Sequence, residues 1–361
     1  MKKSAAPVKS CDRQTASLAL KSAPLRAHIH RHLALIIALA ALPMSAGSAH
    51  AAPKLGLPVD CKPGKDCFIQ NYVDHDPGTS ARDHRCTAQT YDGHKGTDIR
   101  LRDRTVMDQG VRVLAAARGT VKAVRDGLPD VSIRSAGTEA IRGRECGNGV
   151  VIDHGGGWVT QYCHMRNGSI SVRQGDTVKP GTALGLVGLS GMTEFPHLHF
   201  EVRKDDAIID PFASRLMGES KPGDCKPKAV LWSSKAATSL AWQPVTLVDA
   251  AFTSAPPTTQ GIEEAMPPAP TSVSPALVAW VRVLGVRAGD IETLAVTDPL
   301  NASLATSGPK PLERNKAQWL SYAGRKRDTP SWPLGNYKAR YTLERDGKVI
   351  LEREFSFSLV R

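Results

Sequence analysis

Gly149-Val150-Val151-Ile152-Asp153-His154 is followed, after a run of glycines, by Trp158-Val159-Thr160-Gln161-Tyr162. Short runs rich in β-branched and aromatic residues, with glycine turns between them, read as strands. The same texture extends in both directions. Upstream lie Val111-Arg112-Val113-Leu114-Ala115 and Arg118-Gly119-Thr120-Val121-Lys122-Ala123-Val124. Downstream lie Gly175-Asp176-Thr177-Val178, Gly185-Leu186-Val187-Gly188 and Leu198-His199-Phe200-Glu201-Val202. No long 3.6-residue periodicity competes with these runs. The chain is therefore expected to be mainly β, with a compact antiparallel unit over residues 52–222.

Glu219 to Lys228 is polar, holds Pro222 and Gly223, and marks a boundary. Beyond it, residues 223–361 again read as strands. Ala276–Val286 and Ile291–Val296 are apolar runs. Tyr337, Ala339, Tyr341 and Leu343 alternate with polar residues up to Asp346-Gly347, and Leu351, Phe355, Phe357 and Leu359 follow. An Asp-Gly pair between alternating runs predicts a hairpin. An immunoglobulin-like β-sandwich is the expected architecture, serving as a wall-binding or partner-binding module or as a spacer. Its Pro-rich stretch, 254–275, reads as a long exposed loop or partial linker.

Residues 1–51 read differently. Seven basic residues precede the apolar run Leu33–Leu42, and Ala49-His50-Ala51 offers a small-residue cleavage site. That order is the pattern of a secretory signal peptide, and the apolar run is short of the ~20 residues a bilayer span needs. An exported protein, periplasmic or extracellular and without stable membrane insertion, is expected. Loss of this segment removes seven basic residues and one acid, so the net charge falls from +12 to +6. A basic protein suits an anionic polymer such as the cell wall. No nucleic-acid-binding motif is present, so nucleic acid is not an expected partner.

Six cysteines remain after the leader: Cys61, Cys67, Cys86, Cys146, Cys163 and Cys225. An even number in an exported chain suggests disulfides. Cys146 and Cys163 flank neighbouring strand runs and are expected to pair. We read the others as Cys67–Cys86 and Cys61–Cys225. There is no C-x-x-C pair, so a cysteine-based zinc or redox site is not expected.

Three segments carry chemistry. Gly93-His94-Lys95-Gly96-Thr97-Asp98 offers an imidazole and a carboxylate around Gly96, which permits a tight turn. In Pro196-His197-Leu198-His199-Phe200, strand geometry puts His197 and His199 on one face and Leu198 on the other. Tyr162-Cys163-His164-Met165 ends another strand run. By contrast, His154 falls in a turn and reads as structural, and His75 and His84 fall in a polar loop. No G-x-S-x-G, P-loop or Rossmann fingerprint is present.

Together these segments resemble the lysostaphin-type zinc endopeptidases, the LytM or peptidase M23 family. The matching stretches are HKGTD at 94–98, NGVVIDHG at 148–155, QYCHM at 161–165, QGDTVKPGTALGLVG at 174–188 and PHLHFEVR at 196–203. The resemblance covers residues 52–212. It implies a compact antiparallel β fold with zinc in a groove across the sheet. It implies Zn2+ ligands at His94, Asp98 and His199, with His164 and His197 as non-ligand catalytic histidines. It implies cleavage of peptide bonds in peptidoglycan; the other reading is a non-catalytic wall-binding or activator module for other wall hydrolases. The chain departs from the family pattern before the His-Leu-His motif, where Glu194-Phe195-Pro196 replaces small residues, and in its cysteine-rich stretch from Cys61 to Cys86, which could wall the groove.

Overall fold

The computed structural model describes residues 51–219, 223–227 and 230–360. The expected signal peptide, apart from Ala51, lies outside the described residues. These described residues belong to one compact unit.

The amino-terminal half of that unit is built on one large antiparallel sheet. Its strands are β1 (Cys67–Asn71), β2 (Thr97–Leu101), β3 (Arg112–Leu114), β4 (Gly119–Arg125), β5 (Asn148–Gly155), β6 (Trp158–Met165), β7 (Thr177–Val178), β8 (Ala183–Leu186), β9 (His197–Lys204), β10 (Ala207–Asp210) and β11 (Arg215–Leu216). The spatial order is β1-β2-β9-β6-β5-β4-β7, with β10 on β9, β11 on β10, and β3 paired with β8 as a separate ribbon. The opening stretch of sequence is the β5–β6 hairpin. Its turn residues Gly155, Gly156 and Gly157 all have φ between 59° and 81°, a left-handed region that residues with a Cβ avoid. Helices are short: α1 (Arg104–Gln109), α2 (Ile133–Ala136), α3 (Ser234–Ser239) and α4 (Thr259–Glu264).

One core face gathers Ile99, Val150, Ile152, Tyr162, Leu198, Phe200 and Val202. These residues alternate with outward-facing ones, and that alternation fixes which face of β2 and β9 carries polar groups. The same core draws in Leu231, Trp232, Ala236 and Leu240, beyond Pro222 where the sequence suggested a boundary.

The carboxy-terminal half contains β12 (Thr246–Thr253), β13 (Ala276–Val286), β14 (Ile291–Thr297), β15 (Ser303–Pro311), β16 (Lys316–Lys326), β17 (Gly335–Arg345) and β18 (Lys348–Leu359). They form a three-stranded sheet, β12-β13-β16, and a four-stranded sheet, β15-β14-β17-β18. Both sheets contribute to a second core with Val281 and Val283 on one side and Tyr337 and Tyr341 on the other. The β17–β18 hairpin forms as expected, with Tyr337, Ala339, Tyr341 and Leu343 buried. Leu351, Phe355 and Phe357 are only partly buried against the core.

Two expectations need correction. The disulfides are Cys61–Cys67, Cys86–Cys225 and Cys146–Cys163, so only the last expected pair forms. The 254–275 stretch is not simply an exposed loop: it contains α4, whose Ile262 is buried. His75 and His84 lie in the loop between β1 and β2, and both are buried, His75 hydrogen-bonded to Asp210 at 2.7 Å and His84 stacked on Phe212. Peptide mapping of unreduced protein should recover the three observed pairs, and a Cys67–Cys86 fragment would contradict this fold.

Candidate metal centre

Antiparallel register brings the chemistry-bearing residues together. On β2 and β9, Asp98 lies opposite His199 and Arg100 opposite His197. On β6 and β9, Cys163 lies opposite His199, which leaves His164 at the strand end beside the pair. The Cys146–Cys163 disulfide ties that end down, and the His164 backbone N–H donates to the Cys146 carbonyl at 2.8 Å. His164 itself has φ of 61°, a rare value for a residue with a Cβ. Strained backbone of this kind persists where the surroundings over-determine it, often at functional sites.

His94 sits in the turn before β2. Its Nε2 is 3.1 Å from Asp98 Oδ1 and 3.2 Å from His199 Nδ1. His199 Nδ1 is 2.8 Å from Asp98 Oδ1. Three potential ligand atoms therefore face one another in one buried spot. His94, Asp98 and His199 form one group able to hold a metal ion, and His164, His197 and His199 form another.

The far side of each first-group residue is tied outward. His94 Nδ1 is 2.7 Å from the Tyr72 carbonyl oxygen, so this nitrogen is the N–H donor and Nε2 keeps its lone pair. The Asn71 amide donates to Asp98 Oδ2 at 2.8 Å, leaving Oδ1 for the cluster. Glu201 Oε1 lies 3.1 Å from His199 Nε2, and Arg203 Nε donates to the other Glu201 oxygen at 3.0 Å. Outward partners of this kind fix the tautomer and orientation of metal-binding histidines. His164 Nδ1 faces the Ser190 carbonyl at 2.7 Å, and His197 Nδ1 faces the Phe195 carbonyl at 2.9 Å. Those bonds turn both Nε2 atoms inward, that of His197 to 3.4 Å from Asp98 Oδ1, and the two rings lie 4.7 Å apart.

Electrostatics follow from burial among charges. Burial works against the Asp98 carboxylate, but His94 and His197 beside it, with hydrogen bonds from His197 and His199, hold it well below the usual range. Burial pushes the His164 imidazole well below its ordinary value, helped by His197 and His199. For His199 burial acts downward too, but its bonds to Asp98 and Glu201 win and raise it to about 9.

All five residues singled out in the sequence thus meet in space. Asn71 and Glu201 were missed. Glu201 had a signal: it follows His199 by two positions on one strand and so shares its face. Asn71 had none, because it reaches Asp98 only across a bulged β1–β2 pairing. His154 lies on β5 rather than in a turn, with its ring nitrogens at the Arg118 carbonyl and Thr160. Gly96 lies in a bend just before β2 and is constrained there by a close approach as well. A Cβ there would stand 2.7 Å from His199 Nε2 and 2.7 Å from the Phe200 carbonyl oxygen. The cysteine-rich stretch does support the site, through Asn71 and the Tyr72 carbonyl, and Tyr91 packs its half-exposed ring 4.5 Å from His94.

The family described as Peptidase family M23 matches residues 92–211, about a third of the chain. That segment is a peptidase M23 domain. The chain is similar to the cell division protein DipM of Caulobacter vibrioides, 33% identical over 119 residues, which are 33% of this chain and 17% of that protein. It is also similar to the peptidoglycan DD-endopeptidase ShyA of Vibrio cholerae, 43% identical over 56 residues, 16% of this chain and 13% of that one. Among solved structures, a zinc-containing peptidase from Vibrio cholerae matches at 26% identity and a TM-score of 0.26, over 40% of this chain and 39% of that chain. The matches span less than a fifth of the length of these two curated relatives. No helix among the described residues is long and apolar enough to cross a membrane.

Gly96→Ala should crowd His199 out of the cluster and cost about 1–3 kcal/mol of stability, the usual range for overpacking a tight interior. Chemical denaturation reads that cost; an unchanged midpoint would contradict the close approach.

Proposed function

We propose that the chain is an exported zinc metallopeptidase that hydrolyses peptide bonds in the stem peptides or cross-links of bacterial peptidoglycan. One observation carries the proposal: His94 Nε2, Asp98 Oδ1 and His199 Nδ1 face a common point while the opposite atom of each side chain is anchored elsewhere. Nitrogen and carboxylate donors in that number suit a catalytic zinc site, which keeps one position for solvent or substrate. The second group of three histidines lacks a carboxylate, so we assign the ion to His94, Asp98 and His199. Peptidoglycan as substrate is supported by the peptidase M23 domain and by the name of ShyA. Export is supported by the signal-like residues 1–51 and by three disulfides.

Bound zinc would supply Lewis-acid polarisation of the peptide carbonyl and a lowered pKa for water. The chain's own residues do the rest. His164 is neutral at pH 7 because burial disfavours its cation, and its Nδ1–H is engaged by the Ser190 carbonyl. Its Nε2 lone pair is therefore placed to accept the proton of the attacking water. His197 is oriented by the Phe195 carbonyl, and its Nε2 lies 3.4 Å from Asp98 Oδ1. When it carries a proton on Nε2 as well, it can donate that proton to the oxygen or nitrogen of the substrate amide as charge develops. General acid–base groups of this kind contribute about 10²- to 10⁴-fold.

Three outcomes follow. Purified protein should release soluble muropeptides from sacculi, and a chelator should abolish the release. His94→Ala should lose both zinc and activity, whereas His164→Ala should keep one zinc per chain and lose about 10²- to 10⁴-fold in kcat; measured zinc content separates the two roles. Sacculus binding without cleavage in metal-replete protein would instead identify a non-catalytic wall-binding or activator module. The third outcome concerns pH. In the metal-free cluster His199 is raised to about 9, so below that value it carries a proton that zinc must displace. Zinc affinity should therefore strengthen as pH rises and level off above about 9. Competitive chelator titration from pH 6 to 10 reads this, and a flat profile would contradict the assignment of His199 as a ligand.

A further inference from the structure

The site-bearing face of the sheet does not run out into solvent on the His197 side. Arg100 follows Asp98 by two positions on β2, shares its face, and is paired in register with His197. Its side chain is fully buried. The guanidinium lies 4.7 Å over the Phe195 ring, and that ring stands 4.6 Å from the ring of His197. Beyond Arg100 the face is covered by the carboxy-terminal half. Glu263 of α4 pairs with Arg100 at 2.5 Å and with the buried Arg282 of β13 at 3.1 Å, and Gln318 of β16 accepts from Arg100. Asp249 of β12 completes the arrangement, 2.7 Å from Arg282. The floor of the site therefore stops against α4 and β16.

At this stop lies a cavity of about 260 Å³ between the Phe195 loop, α4 and β16. It is smaller than the ~300–1,000 Å³ typical of a pocket that holds a whole ligand. Its charges are unequal in what they leave free. Glu194 is paired with Arg134 at 2.6 Å, Glu263 with Arg100 and Arg282, and Glu264 with Arg104 at 3.8 Å. Lys316 also lines the cavity, is partly buried, and forms no ion pair among the described residues. Arg134 lines the cavity too, but as the partner of Glu194, so Lys316 is the lining charge without an opposite partner among the described residues.

We propose that this cavity is a substrate subsite that takes the free terminal carboxylate of a stem peptide, held by Lys316. The proposal rests on the peptidoglycan peptidase reading above. A peptide lying along the sheet over His197 meets Glu263 and Gln318, so a chain end fits there and a continuing chain does not. The carboxy-terminal half is then part of the substrate groove, and the Pro-rich 254–275 segment is what brings Glu263 into its wall.

The test uses the zinc-loaded full chain and two synthetic cross-linked stem-peptide dimers, one ending in a free carboxylate and one in the corresponding amide. The wild-type protein should cut the acid with a KM about tenfold lower than the amide and with similar kcat, a difference typical of one lost charge-assisted contact. Lys316→Gln should raise the KM for the acid to that for the amide, and Lys316→Arg should restore the preference. A protein that solubilises sacculi yet shows no preference for the acid dimer, or a Lys316→Gln variant that keeps the preference, would overturn the subsite alone. Failure to cut sacculi or either dimer would sink the peptidase reading and the subsite with it.

Discussion

The arrangement turns on burying one carboxylate among four imidazoles. Asp98 is almost wholly removed from water, with His94, His197 and His199 within 3.4 Å of its carboxylate and His164 packed on His197 and His199. A carboxylate so placed is costly unless it is paired and hydrogen-bonded. The fold meets that cost by assigning each ring a direction. Backbone carbonyls at Tyr72, Ser190 and Phe195 hold three of the rings, Glu201 holds His199, and Asn71 holds the far oxygen of Asp98. The inward atoms are left with mutual electrostatics that a divalent cation would relieve. Removing an anchor would leave a buried polar atom without a partner, typically a loss of about 1–3 kcal/mol.

These anchors come from separate parts of the chain, which explains the need for the rest of the structure. The β2–β9–β6 pairing sets the register, and a one-residue slip would turn Asp98, His197 and His199 to the opposite face. The disulfide at Cys163 pins the end of β6 that carries His164. On the other flank, the buried Arg100–Glu263 pair joins the two halves, and Arg282 holds Glu263 and Asp249 on the carboxy-terminal side. Such pairs contribute little net stability when complete, but losing one partner leaves a buried charge and is strongly destabilising. Their effect is to fix the placement of α4 and β16 against the site.

The strands were legible because glycine turns and β-branched runs are local signals, and the β5–β6 and β17–β18 hairpins form where the sequence placed them. His197 and His199 were legible for the same reason, since a two-residue spacing on a strand means one face. What depended on distant chain segments was not legible. Cys61 bonds Cys67 and Cys86 bonds Cys225 because of where β1 and the 223–227 segment come to rest, which spacing alone does not encode. Glu263 looked like part of a linker because its partners, Arg100 and Arg282, lie on strands of two different sheets. The burial of His75 and His84 was not legible because their neighbours Asp210 and Phe212 follow more than a hundred residues later.

X-ray absorption at the zinc edge of the loaded protein tests the central claim most directly. The account predicts one zinc per chain with two imidazole nitrogens and one carboxylate oxygen at about 2.0–2.2 Å, plus one solvent oxygen. A shell of three imidazoles without carboxylate, or a coordination unchanged by Asp98→Ala, would contradict it.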